Sequence, residues 1–387
     1  MNRPLHAVLL HAYSARNSGD GLLVDLSVAL LQEAFGANTC VSIIAADPAS
    51  FAGYPNVLPA PVLAQRGWRR VAAAASALLP HAIARDHTLL RLLDGADMIA
   101  GVGGGYLRAR TCIEALKLEA GHLVQLRAAV ASGKPAVYLP QSIGPALPQA
   151  PLAASLKSLL GACSKVFVRD DRSAEFLSDN ANTRRAPDLA VIEFARRSES
   201  ILGEAARTTR SHVKHVALVL RAPPSWSREQ SERYLHSTSA LMQTLSAECR
   251  LSVAVQSIGR GNDDSAYYRR IGLDAPLPTL KTLLRMDRPD AVVSVRLHGA
   301  LEAVLHGVPA FHLSYERKGF GAYGDLGVQD WVVNAADFNA DRVANTLFAP
   351  EAASSFWHAA SLGLARIGDG HAAIVAALRA TPSTRQT

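Results

Sequence analysis

Short apolar runs alternate along the chain with longer segments of helical period. Ala7 to Leu10, Val41 to Ala45, Met98 to Val102, Ala136 to Leu139 and Lys165 to Val168 read as strands. Gly21 to Phe35, Ile113 to Ser132 and Pro151 to Ala162 lie between them and read as helices. Strand and helix in strict alternation predict parallel βαβ units, so the first half, residues 1–195, is expected to be one doubly wound domain. From Glu193 to Ser211 the chain turns polar and loses its period, which predicts a linker. The alternation then restarts. His215 to Leu220, Leu251 to Val255, Ala291 to Val295 and Pro309 to Leu313 read as strands, with helices around Ser227 to Ala247 and Thr279 to Met286. A second doubly wound domain is expected over 212–350, and an Ala-rich helical segment from Ser354 to Ala380 with a polar tail over 351–387. The fold class is therefore α/β: two Rossmann-like domains with a cleft between the carboxyl ends of their strands, where open sheets bind ligands.

Composition narrows the partners. Of 387 residues, 49% are hydrophobic and 19% charged, a balance that folds rather than one that stays disordered. Aromatics at 6% are too few for stacking platforms on single-stranded nucleic acid. The net charge of +7 favours anionic small molecules or lipid surfaces. The basic residues are mostly scattered Arg without a nucleic-acid-binding signature, which sets nucleic acid aside. Cys40, Cys112, Cys163 and Cys249 are too far apart for a CxxC pair or zinc framework and fit a reducing compartment. The apolar start at Ala7 to Leu10 is too brief for a signal peptide, and no apolar run approaches the roughly 20 residues of a membrane span. The expected location is the cytoplasm, soluble or peripheral at the cytoplasmic face of the membrane.

The densest chemistry is Ser294-Val295-Arg296-Leu297-His298-Gly299-Ala300-Leu301-Glu302. Arg296 and His298 stand at the end of a strand and Gly299 opens a helix, an anion site in outline. Arg offers a planar fork to carboxylate or phosphate, and His exchanges a proton near neutral pH. The plain alternative makes His298 a helix-start hydrogen-bond partner and Arg296 a surface ion pair. Arg221 ends the strand before it, and Lys318 follows the next strand within Ser314-Tyr315-Glu316-Arg317-Lys318-Gly319-Phe320-Gly321. Three cations and one histidine at three strand ends describe a pocket for a small, highly charged anion.

In the first half, Asn17-Ser18-Gly19-Asp20 precedes a helix, where Ser18 or Asp20 would serve as an N-cap and Asp20 could also act as a base. Gly101-Val102-Gly103-Gly104-Gly105-Tyr106 follows a strand but lacks the third glycine of a dinucleotide fingerprint and the Gly-Lys-Ser/Thr of a phosphate loop, and reads as a glycine-lined face for a sugar or diphosphate, with Gln141 and Ser142 on the same rim. His298, His306 and His312 match no metal-ligand spacing, so no structural zinc is expected. Trp68-Arg69-Arg70 opens an Ala-rich stretch to Pro80, followed by His81 to Arg85. Packing on the sheet is its first reading and docking on a membrane surface its second.

Taken in order, Asn17-Ser18-Gly19-Asp20, Gly103-Gly104-Gly105, Gln141-Ser142-Ile143-Gly144-Pro145, Val168-Arg169-Asp170 with Ser173, Pro187-Asp188, Arg221, Arg296-Leu297-His298-Gly299, and Tyr315 with Lys318, Gly319 and Phe320 resemble the polysaccharide pyruvyl transferase family. The likeness runs from about residue 14 to 330. It implies a GT-B-like arrangement, phosphoenolpyruvate as donor substrate with no other cofactor, and an acceptor sugar, lipid-linked or nucleotide-linked, of a surface polysaccharide. It also implies Arg221, Arg296, His298 and Lys318 as donor-site residues. The segment Tyr106-Leu107-Arg108-Ala109-Arg110 departs from many members, which carry an acidic residue there. The expected chemistry has His298 as general acid to the enol methylene, Asp20 as base, the helix at Gly299 steadying phosphate, and Asn17, Gly103, Gly104, Gly105, Gln141 and Ser142 facing the acceptor. Two rivals stand beside it: a glycosyltransferase that holds a nucleotide sugar through Glu302, and a non-catalytic scaffold for glycan assembly.

Overall fold

A computed structural model describes residues 3–78, 87–146, 150–210, 212–259, 262–273 and 276–380. The chain forms two compact units. One comprises Met1–Ala15, Asp20–Leu189 and Asp369–Thr387, the other Arg16–Gly19 and Ala190–Gly368.

Among the described residues the first unit holds nine strands: β1 (His6–Ala12), β2 (Cys40–Ala45), β3 (Val57–Pro59), β4 (Met98–Gly101), β5 (Leu107–Ala109), β6 (Ala136–Gln141), β7 (Ile143–Ala146), β8 (Lys165–Val168) and β9 (Thr183–Arg185). Seven pair in parallel in the order β3-β2-β1-β4-β6-β8-β9, while β5 and β7 form a small parallel ladder of their own. Parallel strands covered by helices are buried on both faces, which is why β1 and β6 are almost continuously apolar.

The second unit holds β10 (His215–Val219), β11 (Arg250–Val253), β12 (Ile258–Gly259), β13 (Asn262–Asp263), β14 (Ala291–Ser294), β15 (Ala310–Ser314) and β16 (Val332–Asn334). Five of these form a parallel sheet in the order β11-β10-β14-β15-β16. Val293 of β14 sits in register with Leu218 and Phe311, all fully buried. The strand order reverses direction between β10 and β14, and between β1 and β4 in the first unit. The carboxyl ends of the strands at such switch points are where doubly wound sheets bind ligands.

All nine strands expected from the apolar runs are present, within a residue or two. The short edge strands β3, β9 and β16 were not expected. The linker expectation is corrected: Leu189–Arg196 and Ser198–Thr208 are helices. Their polar surface is laced by Arg196–Glu193 and Arg207–Glu204 pairs one turn apart, and Ile201 and Ala205 face the core. The helix expected over Ile113 to Ser132 is broken by π turns at Leu118–Leu123 between Cys112–Lys117 and Val124–Ala131. At the far end, helix Leu364–Ala380 returns to the first unit, where His371 pairs with Glu33 and Gly370 packs on Pro187. Of the Ala-rich stretch, helix Gly67–Ala77 is described, whereas 79–86 and the polar tail beyond Ala380 lie outside the described residues.

Candidate active site

The second unit repeats one turn at two neighbouring strand ends. Ser294 closes β14 and its Oγ donates to the carbonyl of Arg296 at 2.8 Å; Ser314 closes β15 and its Oγ donates to the carbonyl of Glu316 at 2.7 Å. Each serine is followed at once by a helix, Leu297–Leu305 and Arg317–Leu326. Five residues after each serine stands a glycine, Gly299 or Gly319, where a Cβ would collide with that serine's Oγ. The residues just before the glycines are His298 and Lys318. The sheet therefore presents an imidazole, an ammonium and two helix N-termini at the ends of adjacent strands, and helix N-termini carry partial positive charge. The two six-residue strings, Ser294 to Gly299 and Ser314 to Gly319, carried this repeat openly in the sequence and sequence reasoning passed over it.

His298 is half-buried and packs against a short piece of chain from far upstream. A Cβ on Gly19 would lie 2.7 Å from His298 Cβ and 3.0 Å from its Nδ1, so only glycine fits there. The segment is tied down by Asn17 bridging to Ser257, by Ile258 N–H donating to Arg16 at 3.0 Å, and by Ser18 N–H donating to the Gln256 carbonyl at 3.2 Å. Ser18 Oγ donates to Glu302 Oε2 at 3.0 Å, which also accepts from Gln256 Nε2 at 3.3 Å. The N-cap expectation shifts by one residue: Asn17 Oδ1 accepts the Gly19 N–H, rather than Ser18 or Asp20 acting as the cap. Asn17 thus belongs to the second unit, in the Arg16–Gly19 segment whose Gly19 packs on His298. Asp20, in the first turn of helix Ser18–Phe35, belongs to the first unit.

The three expected cations each have a partner. Arg221 reaches from the end of β10 to the turn after β15, where its Nη1 donates to Tyr315 Oη at 2.6 Å and its guanidinium lies 4.5 Å from the ring centroid. Lys318 Nζ pairs with Glu316 at 2.9 Å. Arg296 departs furthest from an open anion-binding fork. Its Nε and Nη2 grip the Asp264 carboxylate, Nη1 donates to Asn262 Oδ1 at 2.9 Å, and the pair is 7% and 1% exposed. A guanidinium buried this far requires a counter-charge. Burial pushes the Asp264 carboxyl above its ordinary value while Arg296 pulls it down, and its Oδ2 accepts the N–H groups of Gln256 and Ser257. Arg296 thus locks the β12–β13 hairpin to the start of the His298 helix.

His312, in β15, completes the group. Its Nδ1 lies 2.8 Å from the Ser294 carbonyl and must donate there, leaving Nε2 with its lone pair against Gly319. Burial drives its pKa down to about 4, opposed by that hydrogen bond and reinforced by the nearby Lys318 and His298 charges. It is neutral at neutral pH.

The first unit gathers the remaining expected residues. Gly103 is required by packing, since a Cβ would come 2.9 Å from the Pro140 carbonyl. Gly104 accepts the Ser142 N–H at 2.8 Å, and Arg169 donates from Nε to Ser142 Oγ at 3.2 Å while pairing with buried Asp188. Gln141 is fully buried, with neither side-chain amide atom hydrogen-bonded among the described residues. Beneath the glycine turn, Tyr106 stacks between His11 and His122 at 4.8 and 4.9 Å, and His11 adopts a left-handed backbone with φ 68°. Burial lowers the His122 pKa to about 4, and burial with the His122 charge lowers that of His11 well below its usual value. Among the described residues no cluster of three or more His, Cys, Asp or Glu could hold a metal ion.

The family model for polysaccharide pyruvyl transferase matches residues 17–317, which runs from Asn17 through Arg221, Arg296, His298 and His312 and ends one residue before Lys318. The chain belongs to that family. Its members are transferases that act in polysaccharide modification. No curated protein matches the chain. Among solved structures it resembles UDP-GlcNAc 2-epimerase from Neisseria meningitidis bound to UDP-GlcNAc (TM-score 0.55, 11% identity, 97% of this chain and 99% of that one). It also resembles an alpha,alpha-trehalose-phosphate synthase (UDP-forming) from Burkholderia vietnamiensis (TM-score 0.51, 15% identity, 98% and 100%). Both are GT-B-type enzymes, and at these identities the likeness shows the fold class alone. No helix among the described residues is long and apolar enough to cross a membrane.

Proposed function

We propose that this family member transfers the pyruvyl group of phosphoenolpyruvate onto two hydroxyls of a sugar destined for a surface polysaccharide, forming a cyclic pyruvate ketal. The observation that carries the reading is the doubled strand–turn–helix, with His298 and Lys318 in matching places at adjacent strand ends. Phosphoenolpyruvate places a carboxylate and a phosphate within a few ångströms, and two helix N-termini, Lys318 and Arg221 suit those charges. In the reaction C3 gains one proton, two sugar oxygens bond to C2, and the bond from C2 to the phosphate oxygen breaks. Of the two hydroxyl protons released, one is matched by the proton gained at C3 and the other by the proton carried off on the departing phosphate, so the step balances without a cofactor. His298 is the proposed acid toward C3 and Asp20 the proposed base toward an acceptor hydroxyl. Arg296 acts through the turn it locks. The first-unit group of Gly103, Gly104, Gly105, Gln141 and Ser142 is the proposed acceptor side, although Gln141 is fully buried and would act there only through its neighbours.

The rival nucleotide-sugar reading needs Glu302 to hold a ribose, yet this carboxylate is buried and already accepts from Ser18 and Gln256. The test is turnover. Purified protein is incubated with phosphoenolpyruvate and lipid-linked or nucleotide-linked sugars, and phosphate release is followed. Full activity in His298→Ala ends the proposed acid role, and full activity in Asp20→Asn ends the base role.

A further inference from the structure

The helix Gly67–Ala77 turns its small residues inward and its large ones outward. Ala73, Ala74 and Ala77 pack on Val62, Ala120 and Val124. At helical spacing on the opposite side stand Trp68, 76% exposed, Val71, 71% exposed, Ala75, and then Leu78 at the cap, 47% exposed. A surface helix in water ordinarily shows the reverse. Arg66, Arg69 and Arg70 crowd the same end, all exposed, with Arg69 stacked 5.9 Å from the Trp68 ring, and no acidic residue occurs from Arg66 to Leu78.

We infer that this face is a docking surface for an anionic lipid bilayer. Trp is the side chain best suited to the headgroup boundary, aliphatic Val71 and Leu78 suit the acyl layer below, and three arginines complement acidic headgroups. A second copy of the chain is a poor occupant, because a symmetric contact through this patch would set one arginine cluster against another. The inference requires nothing of the reaction proposed above.

The full chain is sedimented with vesicles of phosphatidylglycerol and phosphatidylcholine in equal parts, or of phosphatidylcholine alone, and tryptophan emission is recorded. Wild type binds the anionic vesicles with a blue shift. Binding falls by at least about tenfold on phosphatidylcholine alone, in Arg69→Gln/Arg70→Gln, or in Trp68→Ser/Val71→Ser. Met286→Ser, which removes an apolar side chain 82% exposed in the other unit, leaves it unchanged. Unaltered melting curves show that the variants fold. Failure of wild type to bind at low salt, or equal binding by both double variants, overturns the inference. So does wild-type self-association that Trp68→Ser/Val71→Ser abolishes, without vesicle binding.

Discussion

Gly19→Ala is a single methyl group placed where the proposed acid must sit. The new Cβ would lie 2.7 Å from His298 Cβ, whereas ordinary contact begins at 3.4 Å, so the histidine or the Arg16–Gly19 segment must yield by at least about 0.7 Å. A rotamer change cannot relieve the clash, because His298 Cβ is fixed to its helix. A displacement near 1 Å at a reacting group costs on the order of 10²-fold in rate, and overpacking costs about 1–3 kcal/mol in stability. The prediction is a kcat for phosphate release lowered about 10- to 100-fold, with KM for phosphoenolpyruvate nearly unchanged because Lys318 and Arg221 lie on other strands. Initial rates at varied donor concentration read the two constants separately, and denaturant melts confirm the fold. A folded Gly19→Ala protein with wild-type kcat would refute the reasoning.

Three further outcomes follow from named contacts. Lys318→Ala raises KM for phosphoenolpyruvate about 10- to 100-fold, the range of a charge-assisted hydrogen bond, and lowers kcat less; saturation kinetics check it. Asp264→Ala leaves Arg296 buried without its counter-charge and destabilises by about 3–5 kcal/mol, measured by denaturant midpoint, and Asp264→Ala/Arg296→Met recovers part of the loss. Stability falls as pH drops from about 6.5 to about 4. In that window the unfolded chain protonates His122 and His312, whose usual value is 6.5, while the folded protein keeps them neutral down to about 4. Each contributes at most about 3.4 kcal/mol to the stability lost across that window, and His122→Gln or His312→Asn flattens the profile of urea melts there.

The central strands were legible because each is buried on both faces and so reads as an unbroken apolar run. Strands β3, β9 and β16 were not: each is three residues at a sheet edge, and Thr183-Arg184-Arg185 is polar throughout. The helix over Ser198–Thr208 was hidden by surface charge, since it buries little beyond Ile201 and Ala205 and leaves scant apolar period to read, whereas Leu189–Arg196 buries Leu189, Val191, Ile192 and Phe194 and has most of its apolar residues before the polar stretch that starts at Glu193. At the site, local motifs were visible and long-range partners were not. His298 and Gly299 could be placed at a helix start from nine consecutive letters. Asp264, 32 positions before Arg296, and Ser18, 284 before Glu302, are joined only by the fold. Gly19 was read as part of a capping turn, and its closer role, making room for His298, depends on a contact that no spacing rule encodes.

Mass spectrometry of a sugar acceptor after incubation with phosphoenolpyruvate tests the account most directly. It predicts product heavier by one pyruvate less one water, with one phosphate released per product and neither formed by His298→Ala. Unchanged acceptor in the presence of phosphoenolpyruvate, with a hexose transferred when a UDP-sugar is supplied instead, would contradict it.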